Sequence, residues 1–138
     1  MVNLVVDASV AVKWFVEEDN HETAKALIYD VDAWIAPEFL MVEIGNVMRT
    51  RMRAGLTEMR QARDGMAFVN ETVDRFVADG ELVRAAFEIA IDLDHSLYDC
   101  LYVACARREN TQMITADRRL IAKAAGSPYA GDVRALAA

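Results

Sequence analysis

The chain is poor in cysteine, with only Cys100 and Cys105 among its 138 residues. The two lie five positions apart within one predicted helix, so they point in different directions. They match no zinc or redox spacing, which argues against a zinc site or a redox site built on them. We interpret both as small buried hydrophobic residues.

Long hydrophobic runs are also missing. No apolar stretch reaches the roughly 18 residues that a membrane-spanning helix needs. The first residues lack the basic leader of a secretory signal, so the cytoplasm is the expected location. Two prolines and six glycines leave no flexible linker between domains, and long helices are therefore expected.

Basic residues are outnumbered, with 15 lysines and arginines against 22 acids and a formal net charge of −7. This balance argues against a protein that coats nucleic acid. It does not exclude a nuclease, because acids clustered around a metal become locally neutral once the ion binds. An acidic surface would also suit a basic protein partner.

Short apolar runs alternate with helical patterns along the chain. Strands are predicted over 3–7, 33–36, 72–77 and 112–116, with a last short strand near Val133. Helices are predicted over 9–17, 21–30, 37–54, 57–70, 80–93, 96–108 and 117–125. This alternation predicts one α/β domain over residues 1–138, with a mostly parallel central sheet of about four to five short strands flanked by helices.

Four carboxylates stand in or directly after apolar segments that are expected to be buried. Asp7 and Asp117 follow predicted strands, and Asp99 and Glu43 lie inside apolar helical stretches. Acids are costly to bury unless something neutralises them. Active sites of parallel sheets lie outside the carboxyl ends of the strands, where Asp7 and Asp117 are expected. The four acids together therefore indicate a shared cation and a metal-dependent active site.

Three of these acids also have a purely structural explanation. Asp7 and Asp117 could cap the helices that follow them, and Asp99 could form a capping box with Ser96. Glu43 resists this interpretation, because it lies about two turns into its helix and on the apolar stripe. Four separate structural explanations are harder to accept than one common pocket.

Carboxylate oxygens are the ligands that Mg²⁺ and Mn²⁺ prefer, and the chain has no histidine and cysteine set of the zinc type. Without metal, clustered carboxylates repel one another, and at least one should have a raised pKa.

Ser9, Thr115 and Asn46 lie near the acids in sequence and could orient them or bind metal waters. Local hydrogen bonding in turns explains the two hydroxyl residues equally well.

Two other groups have a structural interpretation. His95 has no nucleophile beside it and is interpreted as structural. Arg49, Arg51 and Arg53 form a basic patch at the end of the Glu43 helix. The favoured interpretation is that they complement the helix dipole, and the alternative is a track for phosphate groups.

With these residues identified, the chain resembles the PIN-domain ribonucleases, and within them the VapC-type toxins of bacterial toxin–antitoxin pairs. The resemblance rests on four segments, each with one acid: 4–9 with Asp7, 37–47 with Glu43, 97–106 with Asp99 and 114–120 with Asp117. The second segment also has Asn46 one turn after its acid, as in the family. The segment around Asp99 is the most specific of the four.

The resemblance implies an endoribonuclease dependent on Mg²⁺ or Mn²⁺, in which the metal activates water for attack on an RNA phosphate. Asp7, Glu43, Asp99 and Asp117 would form the metal pocket, with Asp7 and Asp99 as the firmest ligands. The family also implies a homodimer and a cognate antitoxin whose tail covers the pocket.

Several alternatives remain open. A catalytically silent PIN protein that only binds partners is opposed by the presence of all four acids. A housekeeping PIN nuclease without an antitoxin is a further possibility. A haloacid-dehalogenase-like phosphatase needs a second Asp two positions after Asp7, where this chain has Ser9. A receiver domain needs an adjacent acid pair that is not evident, and no phosphate-binding glycine loop supports a nucleotide-dependent enzyme.

Overall fold

A computed structural model describes residues 2–137 of the chain. Five strands form one sheet: β1 (Asn3–Val6), β2 (Ala33–Pro37), β3 (Arg75–Val77), β4 (Gln112–Thr115) and β5 (Val133–Ala135). Within the described residues there are seven α-helices: α1 (Ala8–Ala11), α2 (His21–Leu27), α3 (Phe39–Arg53), α4 (Met59–Thr72), α5 (Asp79–Leu93), α6 (Leu97–Arg108) and α7 (Arg118–Ala125).

The sheet has the strand order β3-β2-β1-β4-β5, and every pair of neighbours is parallel. The predicted α/β class with a parallel sheet is confirmed. The chain builds one half of the sheet outward from β1 through β2 and β3, and the other half through β4 and β5. The strand order therefore reverses between β1 and β4, and a crevice opens at the carboxyl ends of these two strands. Asp7 follows β1 directly, and Asp117 lies two residues after β4.

The centre of the domain is apolar on both sides of the sheet. The β1 residues Leu4, Val5 and Val6 are buried, as expected for a central parallel strand. Helix α6 packs on β1, β2 and β4, and every residue from 100 to 106 is buried. The prediction of a central helix that is apolar on nearly every side is confirmed.

Both cysteines lie in this buried helix and form no disulfide. Burial raises the pKa of Cys100 to about 11 and that of Cys105 to about 12. The thiols therefore stay protonated at neutral pH and act as the small apolar residues that were predicted.

The predicted helix over 9–17 was too long. Helix α1 ends at Ala11 and continues only as a 3₁₀ turn over Val12–Trp14. The reason is tertiary packing, because the turn places the Trp14 ring in the core against Trp34, with ring centroids 5.0 Å apart at 66°.

The prediction that Pro37 opens a helix was wrong. Pro37 is the last residue of β2 and pairs with Val77 of β3, and α3 begins only at Phe39. A strand end suits proline because its ring lacks an N–H for the ladder. The pairing partner lies 40 residues away, which is why local pattern alone favoured the helix.

Among the described residues, no helix is both long enough and apolar enough to cross a bilayer.

Gly65 lets α4 approach the ring of Phe15 closely. A Cβ atom at this position would lie 2.0 Å from Phe15 Cδ2, well inside contact distance. We expect Gly65→Ala to destabilise the protein by about 1–3 kcal/mol, because the steric cost of overpacking exceeds the roughly 1 kcal/mol gain in helix propensity. Urea unfolding monitored by circular dichroism measures the difference.

The matched control is Gly80→Ala in α5, where an added Cβ meets no atom within 4 Å. This change is expected to be neutral or slightly stabilising. Equal stability of Gly65→Ala and wild type would contradict the close approach of Phe15.

Candidate metal centre

Asp7 is fixed at the junction of β1, α1 and β4. Its Oδ1 accepts hydrogen bonds from the Ser9 hydroxyl at 2.6 Å and from the Val10 N–H at 3.1 Å. Its Oδ2 accepts one from the Thr115 hydroxyl at 2.5 Å. Asp7 thus caps α1, and its hydrogen bond with Thr115 also connects it to the neighbouring strand β4. The contacts of Ser9 and Thr115 suit the orienting role predicted for them.

Burial has a large effect on the pKa of Asp7, a residue that is only 6% exposed. Burial raises the pKa of Asp7 to about 7, although the hydrogen bonds from Ser9, Thr115 and Val10 lower it. Repulsion from Glu43 adds to the increase. Without a cation, the protein therefore holds Asp7 only partly ionised at neutral pH.

Glu43 reaches the same region from α3. The inner face of this helix buries Leu40 and Ile44, while Glu43 is half-buried beside them. Its Oε1 accepts a hydrogen bond at 2.7 Å from the hydroxyl of Tyr102, a fully buried residue of α6. Burial raises the pKa of Tyr102, and the negative charge of Glu43 raises it further, so the phenol remains a donor.

The pKa of Glu43 is itself raised, first by burial and then by repulsion from Asp99 and Asp117. The hydrogen bond from Tyr102 opposes this shift. Tyr102 was not predicted as a site residue. The available signal was its position three residues after Asp99, on nearly the same face of α6.

Asp117 caps α7, because its Oδ1 accepts the N–H groups of Arg119 at 3.0 Å and Leu120 at 3.2 Å. The capping explanation is therefore correct for Asp117, as it is for Asp7. Asp117 nevertheless also faces Asp99, whose pKa is raised first by burial and then by the charge of Asp117. Capping a helix and joining an acidic pocket are compatible roles here.

The capping box suggested for Asp99 does not form. The Ser96 side chain accepts the N–H of Tyr98 at 3.2 Å, whereas Asp99 turns toward His95. His95 Nε2 lies 2.7 Å from Asp99 Oδ2. The sequence analysis interpreted His95 as a structural residue and did not predict this contact, because the local sequence pattern does not show the direction of its ring.

Within the described chain, His95, Asp99 and Asp117 form a group of potential metal ligands whose ligand atoms all lie within 4.8 Å of one another. This group lines an open pocket of about 360 Å³. Asp7 and Glu43 lie outside this group. The charge of Glu43 raises the pKa of Asp7, and the charges of Asp99 and Asp117 raise the pKa of Glu43, so the four predicted acids lie near enough to repel one another.

Glu43 borders two further cavities. One, of about 280 Å³, is also lined by Ser9 and Arg51. The other, of about 450 Å³, is lined by Asn46 and by the stacked rings of Phe39 and Tyr98. Asn46 is exposed and shares this cavity with Glu43, one helical turn away.

The donor set suits a divalent cation. Within residues 2–137, none of the four carboxylates forms an ion pair with lysine or arginine. Each of three acids also keeps one oxygen that accepts no hydrogen bond from the described chain: Glu43 Oε2, Asp99 Oδ1 and Asp117 Oδ2. Carboxylates that repel one another, and that keep oxygens without hydrogen bonds, favour the binding of a hard ion such as Mg²⁺ or Mn²⁺.

Basic side chains surround this acidic pocket. Arg119 and Lys123 line the cavity of Asp99 and Asp117. Arg51 and Arg53 lie in the last turn of α3, where they complement the helix dipole. Arg51 in addition reaches the cavity of Glu43, so both interpretations of the basic patch have a structural basis.

Comparison with known proteins adds a family assignment. A family model described as "PIN domain" matches residues 4–126. A curated relative, ribonuclease VapC3 of Pyrobaculum aerophilum, is 26% identical over 124 residues, covering 88% of this chain and 95% of that protein.

Solved structures share the fold. The crystal structure of PAE2754 from Pyrobaculum aerophilum has a TM-score of 0.73 at 19% identity, covering 98% of this chain and 84% of that one. A toxin–antitoxin complex from Klebsiella pneumoniae has a TM-score of 0.65 at 16% identity, with 95% of both chains covered. At these identities the likeness supports the fold alone.

Proposed function

Because the chain belongs to the PIN domain family, we propose that it is a metal-dependent endoribonuclease whose cation is held by Asp7, Glu43, Asp99 and Asp117. The observation that carries the proposal is the mutual repulsion of these acids beside the carboxyl end of the sheet, where none of them pairs with a lysine or arginine of the described residues. The similarity to a curated ribonuclease across 88% of the chain supports the same activity.

The cation is proposed to be Mg²⁺ or Mn²⁺. When bound, such an ion supplies a Lewis acid that makes water nucleophilic and offsets the charge developing on the phosphate. The protein's own residues orient the carboxylates that would bind the cation. Ser9 and Thr115 hold the Asp7 oxygens, Tyr102 holds one oxygen of Glu43, and the start of α7 holds one oxygen of Asp117.

RNA is the proposed substrate. Arg51 and Arg119 line cavities that also contain the acids, so they can neutralise backbone phosphates next to the scissile bond. They offset the repulsion that a chain with a net charge of −7 exerts on RNA. A ribonuclease that acts on cellular RNA is expected in the cytoplasm.

The biological role is proposed to be that of the toxin in a toxin–antitoxin pair, inhibited by a cognate antitoxin. The support is the curated relative named VapC3 and the fold shared with a toxin–antitoxin complex. The net charge of −7 favours an antitoxin with a basic contact segment.

A homodimer is also proposed. Val83, Phe87 and Ile91 of α5 are exposed although they are large and apolar. Their spacing of four residues forms one stripe on the outer side of the helix. Exposed apolar stripes of this kind mark protein contacts, and a second copy would bury both stripes against each other.

The test is cleavage of total cellular RNA by purified protein freed of any antitoxin. Cuts in Mg²⁺ or Mn²⁺ that disappear in EDTA are the expected result, and mapping the new ends would identify the target. If the folded protein binds metal and cuts no RNA, it acts as a silent PIN protein that only binds partners.

A further inference from the structure

The contact between His95 and Asp99 is built into the turn between α5 and α6. His95 is only 7% exposed in its side chain, and Asp99 is 26% exposed. The Nε2 to Oδ2 distance of 2.7 Å is that of a strong hydrogen bond to a carboxylate. The burial of the ring and its contact with an acid of the pocket indicate that His95 does more than pack against its neighbours.

The turn that holds this histidine is fixed at three points. Asp94 adopts a left-handed conformation with φ of 49°, which ends α5. The N–H of His95 donates to the Ala90 carbonyl at 3.1 Å. Lys123 of α7 donates to the carbonyl of Asp94. The imidazole is therefore placed by backbone geometry and tied to the same helix that Asp117 caps.

The other three acids of the pocket are each held by hydrogen bonds. In each, specific donors hold at least one oxygen: hydroxyls and an N–H on Asp7, the Tyr102 phenol on Glu43, and helix N–H groups on Asp117. Among the described residues, His95 Nε2 is the one nitrogen within hydrogen-bond distance of the Asp99 carboxylate, and an ionised carboxylate can only accept. Without it, no nitrogen donor of the described residues would orient the Asp99 carboxylate.

We propose that His95 is a positioning residue, which donates its Nε2–H to Asp99 Oδ2 and so presents Asp99 Oδ1 to the cation. This inference rests on the proposed function, in which Asp99 is a metal ligand. Partners that orient metal ligands in this way commonly account for a 10–100-fold effect on metal affinity. A nitrogen that donates its hydrogen to Asp99 has no lone pair left for the ion, so Nε2 is not a metal ligand in this arrangement.

Two variants of the full chain separate positioning from packing. His95→Leu removes the donor and keeps a side chain of similar bulk, and His95→Gln restores an N–H donor. Mn²⁺ is titrated into each protein, free of antitoxin, and free Mn²⁺ is followed by electron paramagnetic resonance. We expect His95→Leu to bind Mn²⁺ about 10–100-fold more weakly and His95→Gln to recover most of the affinity. Thermal unfolding in EDTA checks that both variants are folded.

Three results would overturn the inference. The first is wild-type Mn²⁺ affinity in folded His95→Leu. The second is a loss in His95→Gln as large as in His95→Leu, which would indicate that the ring matters only for packing. The third is a directly coordinated imidazole nitrogen in the pulsed resonance spectrum of wild-type protein with Mn²⁺. Failure of the wild type itself to bind Mn²⁺ is distinguishable, because it would refute the proposed metal centre.

Discussion

Replacing Asp99 by asparagine is expected to abolish metal-dependent RNA cleavage while the chain stays folded. The amide oxygen can still accept the hydrogen bond from His95, so the side chain keeps its place. What is lost is the negative oxygen that faces Asp117 and Glu43. Since a catalytic ion contributes several kcal/mol to transition-state stabilisation, we expect the rate to fall on the order of 1,000-fold.

The measurement is the cleavage rate of cellular RNA in saturating Mn²⁺, with circular dichroism as the check on folding. Asp64→Asn is the matched control, because it removes one charge from an exposed position on α4. The control is expected to cleave at the wild-type rate. Full activity in Asp99→Asn would refute the metal-site assignment, and an unfolded variant would favour a purely structural role.

Asp7→Asn is expected to stabilise the metal-free protein at pH 8, although it should inactivate the enzyme. Burial raises the pKa of Asp7 from its ordinary value of 3.8 to about 7. Ionising this carboxyl therefore destabilises the folded state, and asparagine removes that cost. Its amide can serve the same partners, since the Thr115 hydroxyl can rotate to accept a hydrogen bond instead of donating one.

The difference in unfolding free energy between wild type and Asp7→Asn depends on pH. Well below pH 4, Asp7 is neutral in both the folded and the unfolded chain, so wild type and variant should differ little. The advantage of the variant should grow as the pH rises from about 4 to about 7 and stay constant above that. One pKa unit corresponds to about 1.4 kcal/mol, so we expect about 2–4 kcal/mol at pH 8.

Urea unfolding in EDTA across this pH range measures the difference. Added Mn²⁺ should reverse the order, because a cation that binds only the folded wild type stabilises it. If Asp7→Asn is instead the less stable protein at pH 8 in EDTA, capping of α1 outweighs the burial of charge and Asp7 is mainly a structural residue.

The sheet and most helices could be predicted because their signals are local. Apolar runs gave β1, β2 and β4 within one residue at either end, and α3 ends where Gly55 adopts a positive φ of 74°. Glu43 could be singled out because an acid on the apolar stripe of a helix is a local contradiction.

What could not be predicted depends on partners distant in the chain. Tyr102 meets Glu43 across 59 positions, and Thr115 meets Asp7 across 108. His95 is near Asp99 in sequence, but its orientation follows from a left-handed residue at Asp94 that no apolar pattern encodes. The acids and the hydroxyl residues Ser9 and Thr115 could thus be found from the sequence, whereas the pairing of each donor with its acid required the fold.

A crystal soaked in Mn²⁺ shows whether the four carboxylates form one metal centre. Anomalous diffraction locates the ion without reference to activity, substrate or partner. We expect one or two strong peaks coordinated by carboxylate oxygens of Asp7, Glu43, Asp99 and Asp117. An empty pocket at saturating Mn²⁺, or a peak bound only at other residues, would refute the shared metal centre.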